Sequence, residues 1–272
     1  MKALRNIGSY GFLLVMSAIV IIPLLSILSV ALQPSGSFIA GLTWPTNPQW
    51  SNFSNAWTTG SFATLMGSSA IVALGVVPIA VGISVLAGYA FGIMKFRGSN
   101  IIFYALLIGL VMPYEATIAP LYYNLRGVGL TDNYLGVILP EIALFISFGT
   151  FWMRAFFLST PRALVEAAKL DGATPLGILS RVLLPLATPA ITTLAALFFI
   201  WSWNEFLLAL VILQSPELQT APAGLGLFVG QRSTDIQGLA AGALIITIPV
   251  IVVYIVLQRK IISGMLQGAV KG

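Results

Sequence analysis

Glu115 in MPYEATIAP and Glu205 in WSWNEFLLAL stand inside long apolar stretches, each beside groups that could share its chemistry. A carboxylate in the middle of a bilayer-length segment costs about 2.5–3.5 kcal/mol on insertion scales, so such residues face a cavity or a partner. Tyr114 and Thr117 accompany the first, Trp203 and Asn204 the second. A hydroxyl-rich solute needs side-chain acceptors and an aromatic face. Tyr114, Glu115, Thr117, Trp203, Asn204 and Glu205 offer both and form the candidate solute path. A structural or gating role for the same segments is the competing reading. An acid–base pair is a poor third, because the chain has no histidine and no cysteine. Their absence removes the commonest general base, the commonest metal ligand and every thiolate, so neither a catalytic nor a metal site is expected. Glu141 directly follows Pro140 near the end of another apolar stretch, where it is expected to snorkel.

A second constellation is the polar island EAAKLDGATPLGILSRVLLP, Glu166 to Pro185. Thr160 before Pro161 reads as a helix start, a hydroxyl cap followed by proline at the first helical position. Arg162 to Leu170 continues in strong helix formers until Asp171 and Gly172 stop it. Thr174 before Pro175 repeats the start signal for a second helix through Ile178, Leu179 and Arg181. Ala167 and Ala168 leave a surface low enough for a partner backbone to come close beside Glu166 and Asp171. Leu183 to Pro185 is where the loop is expected to join stiffly to the next apolar segment.

The elements that must position these groups are membrane helices. With 58% hydrophobic and 8% charged residues, the chain is far from a soluble domain, in which about a quarter of residues are charged. Six windows are long enough to cross a bilayer: Phe12–Leu32, Phe62–Met94, Ile101–Tyr123, Tyr134–Met153, Val182–Leu213 and Ile236–Gln258. The first and last carry no charge, whereas Glu115, Glu141 and Glu205 interrupt three others. Phe62–Met94 exceeds one crossing and contains Pro78, which predicts tilt, a kink or a projecting end. The first window is too long for a cleaved signal peptide and is expected to remain as an anchor.

An even number of spans puts both termini on one side. If that side is cytoplasmic, the inside set is Lys2, Arg5, Lys95, Arg97, Arg154, Arg162, Lys169, Arg181, Arg259, Lys260 and Lys271, against Arg126 and Arg232 outside. Eleven to two is a strong positive-inside bias. Topology therefore accounts for the net charge of +5, and no nucleic acid is needed as a partner. The expected organisation is a cytoplasmic N-terminus at 1–9, an anchor at 10–32, an external loop at 33–61, a five-helix core at 62–258 containing the loop 159–182, and a cytoplasmic tail at 259–272. Trp44, Trp50 and Trp57 of the external loop suit the headgroup level. Gly88 with Gly92, and Gly238 with Gly242, mark faces for close helix packing within one subunit. No phosphate-cradling G-x-x-x-x-G-K-[ST] string occurs, so any ATP hydrolysis belongs to another chain.

In the polar island, Glu166, Ala167, Ala168, then Gly172, then Leu184 and Pro185 resemble the EAA loop of permease subunits of ATP-binding cassette importers. The chain resembles carbohydrate-importer permeases of the MalG type also in GYAFGIMKFRG (Gly88 to Gly98), FWMRAFFLSTP (Phe151 to Pro161), WSWNEFLLAL (Trp201 to Leu210) and the tail GAVKG (Gly268 to Gly272). The resemblance implies an all-α polytopic membrane protein with six transmembrane helices and a coupling loop between the fourth and fifth. It implies that Arg162, Glu166, Ala167, Ala168, Asp171 and Gly172 meet an ATPase. The implied partners are a second permease subunit in a heterodimer, two ABC ATPase domains that bind ATP and Mg, an extracytoplasmic sugar-binding protein and the lipid bilayer of a bacterial or archaeal cell. This chain itself would hold no cofactor. Carboxylates along a path repel phosphorylated solutes, which favours a neutral di- or oligosaccharide or an amino sugar; a permease for glycerophosphodiesters or another polar solute is the alternative. A stand-alone secondary transporter would need an ion site and paired repeats of broken helices, which the sequence does not display.

Overall fold

A computed structural model describes residues 2–37, 43–94, 96–230 and 234–269. Lys95, Arg232 and Lys271 of the charge count and the last three residues of the GAVKG tail lie outside the described residues, as do the side chains of Lys2, Arg5, Arg259 and Lys260. The described secondary structure is helical apart from one isolated antiparallel bridge, Val229 to Thr234. In order the helices are α1 (Lys2–Ala31), α2 (Ser51–Thr59), α3 (Phe62–Gly92), α4 (Ser99–Val111), α5 (Tyr114–Gly127), α6 (Leu135–Ser159), α7 (Arg162–Leu170) and α8 (Pro175–Ile178). A π-helical turn (Leu179–Leu183) leads into α9 (Leu184–Trp203), followed by α10 (Leu207–Ile212), α11 (Ala221–Gly224), a 3-10 turn (Leu225–Phe228) and α12 (Ile236–Ala269).

Five helical segments are long and apolar enough to cross a membrane: Tyr10–Ala31, Phe62–Gly92, Leu135–Ser159, Pro175–Trp203 and Ile236–Gln258. The sixth expected span, Ile101–Tyr123, is not one helix. It is broken into α4 and α5, which meet at 96°. Pro113 is the cause: its ring disfavours the helical conformation at the residue before it, and Met112 is extended at ψ 128. The window Val182–Leu213 is broken too, between α9 and α10 at Asn204–Phe206. By contrast α3 passes Pro78 without interruption. At 31 residues it is about 46 Å long against a hydrocarbon core of about 30 Å.

The chain forms two compact units, Met1–Met66 with Gly224–Ile248 and Gly67–Ala223 with Pro249–Gly272. In the first, Asn52 Nδ2 donates to the carbonyls of Ala31 and Gln33, both at 2.8 Å, closing the end of α1 onto α2. Phe62 stacks between Trp57 and Phe228, and a Cβ on Gly242 would lie 2.7 Å from the Phe62 ring. Trp44, Trp50 and Trp57 are exposed.

In the second unit, Val72, Val76 and Ala80 of α3, spaced one turn apart, are buried with Met153 and Phe157 of α6 and Leu194 and Phe198 of α9. Glycine lets α3 reach α6: a Cβ on Gly88 would lie 2.4 Å from Met153 Cβ, and one on Gly92 2.9 Å from Phe157 Cβ. Arg154 uses that proximity, donating through Nε to the Phe91 carbonyl at 3.3 Å while its guanidinium lies 4.1 Å above the Phe103 ring.

Two local expectations are corrected. Thr160 does not cap α7: Pro161 holds the cap position without a side-chain bond. The Thr160 hydroxyl donates backward to the Phe156 carbonyl at 3.3 Å, because the residue sits at the end of α6. Nor does Glu141 snorkel. It is 1% exposed, since it shares the inward face of α6 with Ile138 and Ile142.

Candidate functional site

The polar island folds as two helices around a sharp reversal. Strong helix formers carry α7 to Leu170, and Gly172 ends it in the left-handed conformation at φ +77, which glycine adopts at no steric cost. The Gly172 amide donates to the Lys169 carbonyl and the Ala173 amide to the Ala168 carbonyl, at 3.0 and 2.9 Å. This is a Schellman closure, which satisfies carbonyls that would otherwise be orphaned at the helix end. The Thr174 hydroxyl then accepts from the Gly177 amide at 3.2 Å, with Pro175 in the first turn, and starts α8.

From Pro175 the chain stays helical through Trp203. The π-turn makes this continuity possible. Pro185 lacks an amide donor and its ring crowds the carbonyl four residues back, and a widened turn ahead of it absorbs both defects. The loop is also tied to α3, because the Tyr89 hydroxyl donates to the Pro175 carbonyl at 2.9 Å. Val165, Ala168, Ile178 and Leu179 are buried. Arg162, Glu166, Ala167, Asp171 and Gly172 are exposed, and Leu170 and Leu176 present apolar side chains at 89% and 70% exposure. α7 therefore has two faces. Arg162, Val165, Glu166 and Lys169 line a cleft against the α3–α4 turn, while Leu170 points away from the chain's own core.

The candidate solute path is only partly assembled. Tyr114, at the start of α5, donates its hydroxyl to Glu205 Oε1 at 2.8 Å. Glu205 lies in the α9–α10 break and also accepts the Leu208 amide on Oε1 and the Ala209 amide on Oε2, at 2.9 and 3.0 Å. Its carboxylate thus caps α10 and is bound to the chain through both oxygens. Asn204 is exposed and donates its side-chain amide to the Ile200 carbonyl at 2.7 Å, closing the end of α9. Thr117 donates to the Tyr114 carbonyl at 2.6 Å. Trp203 is 4% exposed and stacks on Phe199, so its ring face is taken up in packing. Glu115 is exposed in the first turn of α5, where a carboxylate is favoured by the helix dipole. Tyr114 and Thr117 line a recess of about 300 Å³ whose other walls, Gly109, Met112, Pro140 and Leu208 among them, are mainly apolar.

Residues outside that set complete the arrangement. Glu141 is buried, and the hydroxyl of Ser202, itself buried, is the polar group beside its carboxyl. Asp132 takes a left-handed conformation at φ 55. It accepts the Gln214 and Ser215 amides at 2.9 and 2.8 Å and the Ser215 hydroxyl, and its own amide donates to the Ile212 carbonyl. These bonds, the one from the Ser215 hydroxyl foremost, hold the Asp132 carboxyl below its ordinary value. Thr131, Asp132 and Asn133 are residue types suited to a turn, which is a signal available in the sequence. That the turn clasps residues 214 and 215 is not.

Residues 80–267 match the family of binding-protein-dependent transport system inner membrane components. The trehalose transport system permease protein SugB of Mycobacterium tuberculosis is 35% identical over 93% of this chain and 93% of its own. The arabinooligosaccharides transport system permease protein AraQ of Bacillus subtilis is 32% identical over 96% of this chain and 94% of its own. The diacetylchitobiose uptake system permease protein NgcG of Streptomyces coelicolor is 30% identical over 96% and 87%. In fold, the chain matches a chain of a bacterial ABC transporter involved in alginate import with a TM-score of 0.76, at 24% identity, covering 94% of this chain and 96% of that one. With the helical membrane fold, the broken spans and the exposed loop already in place, these matches show that the chain belongs to the family of binding-protein-dependent transport system inner membrane components.

Proposed function

We propose that this chain is one of two permease subunits of an ATP-driven importer and passes a neutral di- or oligosaccharide delivered by an external binding protein. Relatives over nearly its whole length carry trehalose, arabinooligosaccharide and diacetylchitobiose in their names, which supports the solute class. Fewer carboxylates are free to repel an anionic solute than the sequence suggested. Glu205 is engaged in capping and Glu141 is buried, so Glu115 is the exposed carboxylate of the three.

The observation that carries the coupling role is the loop from Arg162 to Ile178. It exposes Leu170 and Leu176 on either side of the Gly172 reversal while it runs unbroken into a 29-residue helical segment. ATP and Mg would be bound by two partner ATPase domains, and Arg162, Glu166, Ala167, Asp171 and Gly172 would meet them; Ala168, expected at that surface, is instead packed inward on the core-facing side of α7. Shifting a gate from 1:99 to 99:1 requires about 5.5 kcal/mol of differential binding, and a continuous helix transmits such a difference without dissipating it in a hinge. The two helix breaks, joined by Tyr114 and Glu205, are the elements that would rearrange as access alternates. The loop and both termini are assigned to the cytoplasm on the positive-inside bias.

The test begins with the tagged chain purified from its own host in mild detergent, with its companions identified by mass spectrometry. A nucleotide-binding ATPase, a second permease and a solute-binding protein are expected, and uptake by the reconstituted complex should require ATP. A chain that purifies alone and transports in liposomes without ATP would overturn the proposal. Topology is tested separately. The chain has no native cysteine, so a Leu170→Cys variant should react with a membrane-impermeant maleimide only in inverted vesicles.

A further inference from the structure

Arg97 and Lys169 stand beside the coupling loop but are not among the residues assigned to the ATPase contact. Arg97 lies in the turn between α3 and α4, and Lys169 in the last turn of α7. With Arg162 and Glu166 they line one cleft of about 610 Å³, which has Phe91 and Phe96 among its walls. All four charged side chains are exposed, and no ion pair joins them among the described residues. Glu166 is four residues from Arg162 and three from Lys169, so either could pair with it on the helix surface. One carboxylate against three cations still leaves a surplus of two positive charges in the cleft.

The positive-inside bias accounts for basic residues on this side of the chain, but not for their convergence from two separate elements on one concavity. Such a cavity with partly apolar walls focuses the field of its cations. It also adjoins the exposed apolar end of the loop: Lys169 immediately precedes Leu170, which is 89% exposed, and Glu166 stands one turn before it. A partner that covers Leu170 therefore reaches the cleft.

We infer that the ATPase inserts an acidic side chain, aspartate or glutamate, into this cleft, and that Arg97 and Lys169 belong to its docking surface. The inference rests on the ATPase contact proposed above and names the chemistry of one part of it. A carboxylate suits the site, because a guanidinium fork binds both of its oxygens and an ammonium adds a point charge. The contact gives the ATPase a second hold, on the turn between α3 and α4, besides the loop that runs into α9. Closure of the nucleotide sites then acts on both elements at once.

The tagged complex, purified from its own host, is treated with a zero-length carbodiimide, which joins an amine only to a carboxylate in contact with it. Peptide mapping is expected to find Lys169 linked to an aspartate or glutamate of the ATPase. Permease complexes carrying R97Q/K169Q, titrated with the separately purified ATPase, should bind it roughly tenfold more weakly, as the loss of two exposed ion pairs would give. Their binding should also depend less on salt, and R97K/K169R should recover both properties. Lys169 linked only within its own chain, or an unchanged affinity and salt dependence in R97Q/K169Q, would overturn the inference and leave the ATPase partnership standing. An effect of the variant that disappears in phosphatidylcholine nanodiscs would overturn it in favour of an anionic lipid headgroup in the cleft. A chain that carries no ATPase would overturn both readings together.

Discussion

The Tyr114 hydroxyl donates to Glu205 Oε1 at 2.8 Å, and this bond joins the two places where membrane helices of the chain are broken. Tyr114 begins α5 just after the Pro113 bend, and Glu205 lies in the gap between α9 and α10. A phenol and a carboxylate 91 residues apart thus hold two interruptions in one arrangement. Tyr114→Phe removes the donor and leaves the ring. It is expected to destabilise the chain by about 0.5–2 kcal/mol, the usual worth of a polar contact between membrane helices, and to change ATP-dependent uptake by the reconstituted complex. A thermal midpoint and an uptake rate both equal to wild type would show that the bond constrains neither break.

Glu205 itself is expected to be more costly to lose. Its two oxygens accept the Leu208 and Ala209 amides, which are orphan donors at the start of α10. Glu205→Ala should destabilise by about 2 kcal/mol, the upper end for a lost cap, and reduce transport along with it. Glu205→Gln keeps one acceptor oxygen and should fall between. Detergent melting curves of the three proteins test the order, and an Ala variant as stable as Gln would remove the capping role.

Much of this arrangement was legible in the sequence as membership and little of it as geometry. The loop could be read because its signals are local: helix formers to Leu170, glycine at the reversal, Thr174–Pro175 at the restart. The breaks could not be read, because proline alone does not decide them. Pro78, Pro140, Pro189 and Pro249 all lie inside continuous helices, whereas Pro113 ends one. The difference lies in whether neighbouring groups satisfy what proline frees. Burial of Glu141 and Trp203 depends likewise on which helices pack beside them, and a single strand of sequence does not hold that information.

The Gly88 contact offers a test of the α3–α6 packing. A Cβ there would lie 2.4 Å from Met153 Cβ and 2.9 Å from the Arg154 amide nitrogen, so backbone has to move. Gly88→Ala is expected to cost about 1–3 kcal/mol, as overpacking does. Gly82→Ala, with open space around its added carbon, should be neutral or mildly stabilising. The paired melting temperatures check the claim, and equal effects at the two positions would contradict close approach at Gly88.

Asp132 makes a pH prediction whose sign follows from its bonds. Its carboxyl is held below the ordinary value of 3.8, first by the Ser215 hydroxyl and then by the Ser215 amide. Stability from a depressed carboxyl is fully present above the unfolded value and is lost as pH falls through the folded one. Wild type should therefore exceed Asp132→Asn in thermal midpoint by a constant amount above about pH 5, and the gap should close as the pH drops below 3.8. Asn tolerates the left-handed backbone required here, so the comparison isolates the charge. A gap that persists unchanged at pH 3 would mean that the clasp does not depend on ionisation.

Gly172 separates the fold of the loop from its use. Its φ of +77 and its amide bond to the Lys169 carbonyl are both impossible for proline, whose φ is fixed near −65° and which has no amide hydrogen. Gly172→Pro is expected to leave membrane insertion intact, because Gly172 lies outside the five long apolar segments, between the one that ends at Ser159 and the one that begins at Pro175. The Schellman closure would be lost, and Leu170 and Leu176 would no longer flank one reversal. ATP hydrolysis by the assembled complex should then continue while solute uptake falls to background. Gly172→Ala, which keeps the amide and meets no neighbour within 4 Å, costs only the left-handed strain of about 1–2 kcal/mol and should retain coupled uptake. Normal uptake by the proline variant would mean that the reversal at Gly172 does not transmit the ATPase's work, whatever the loop touches.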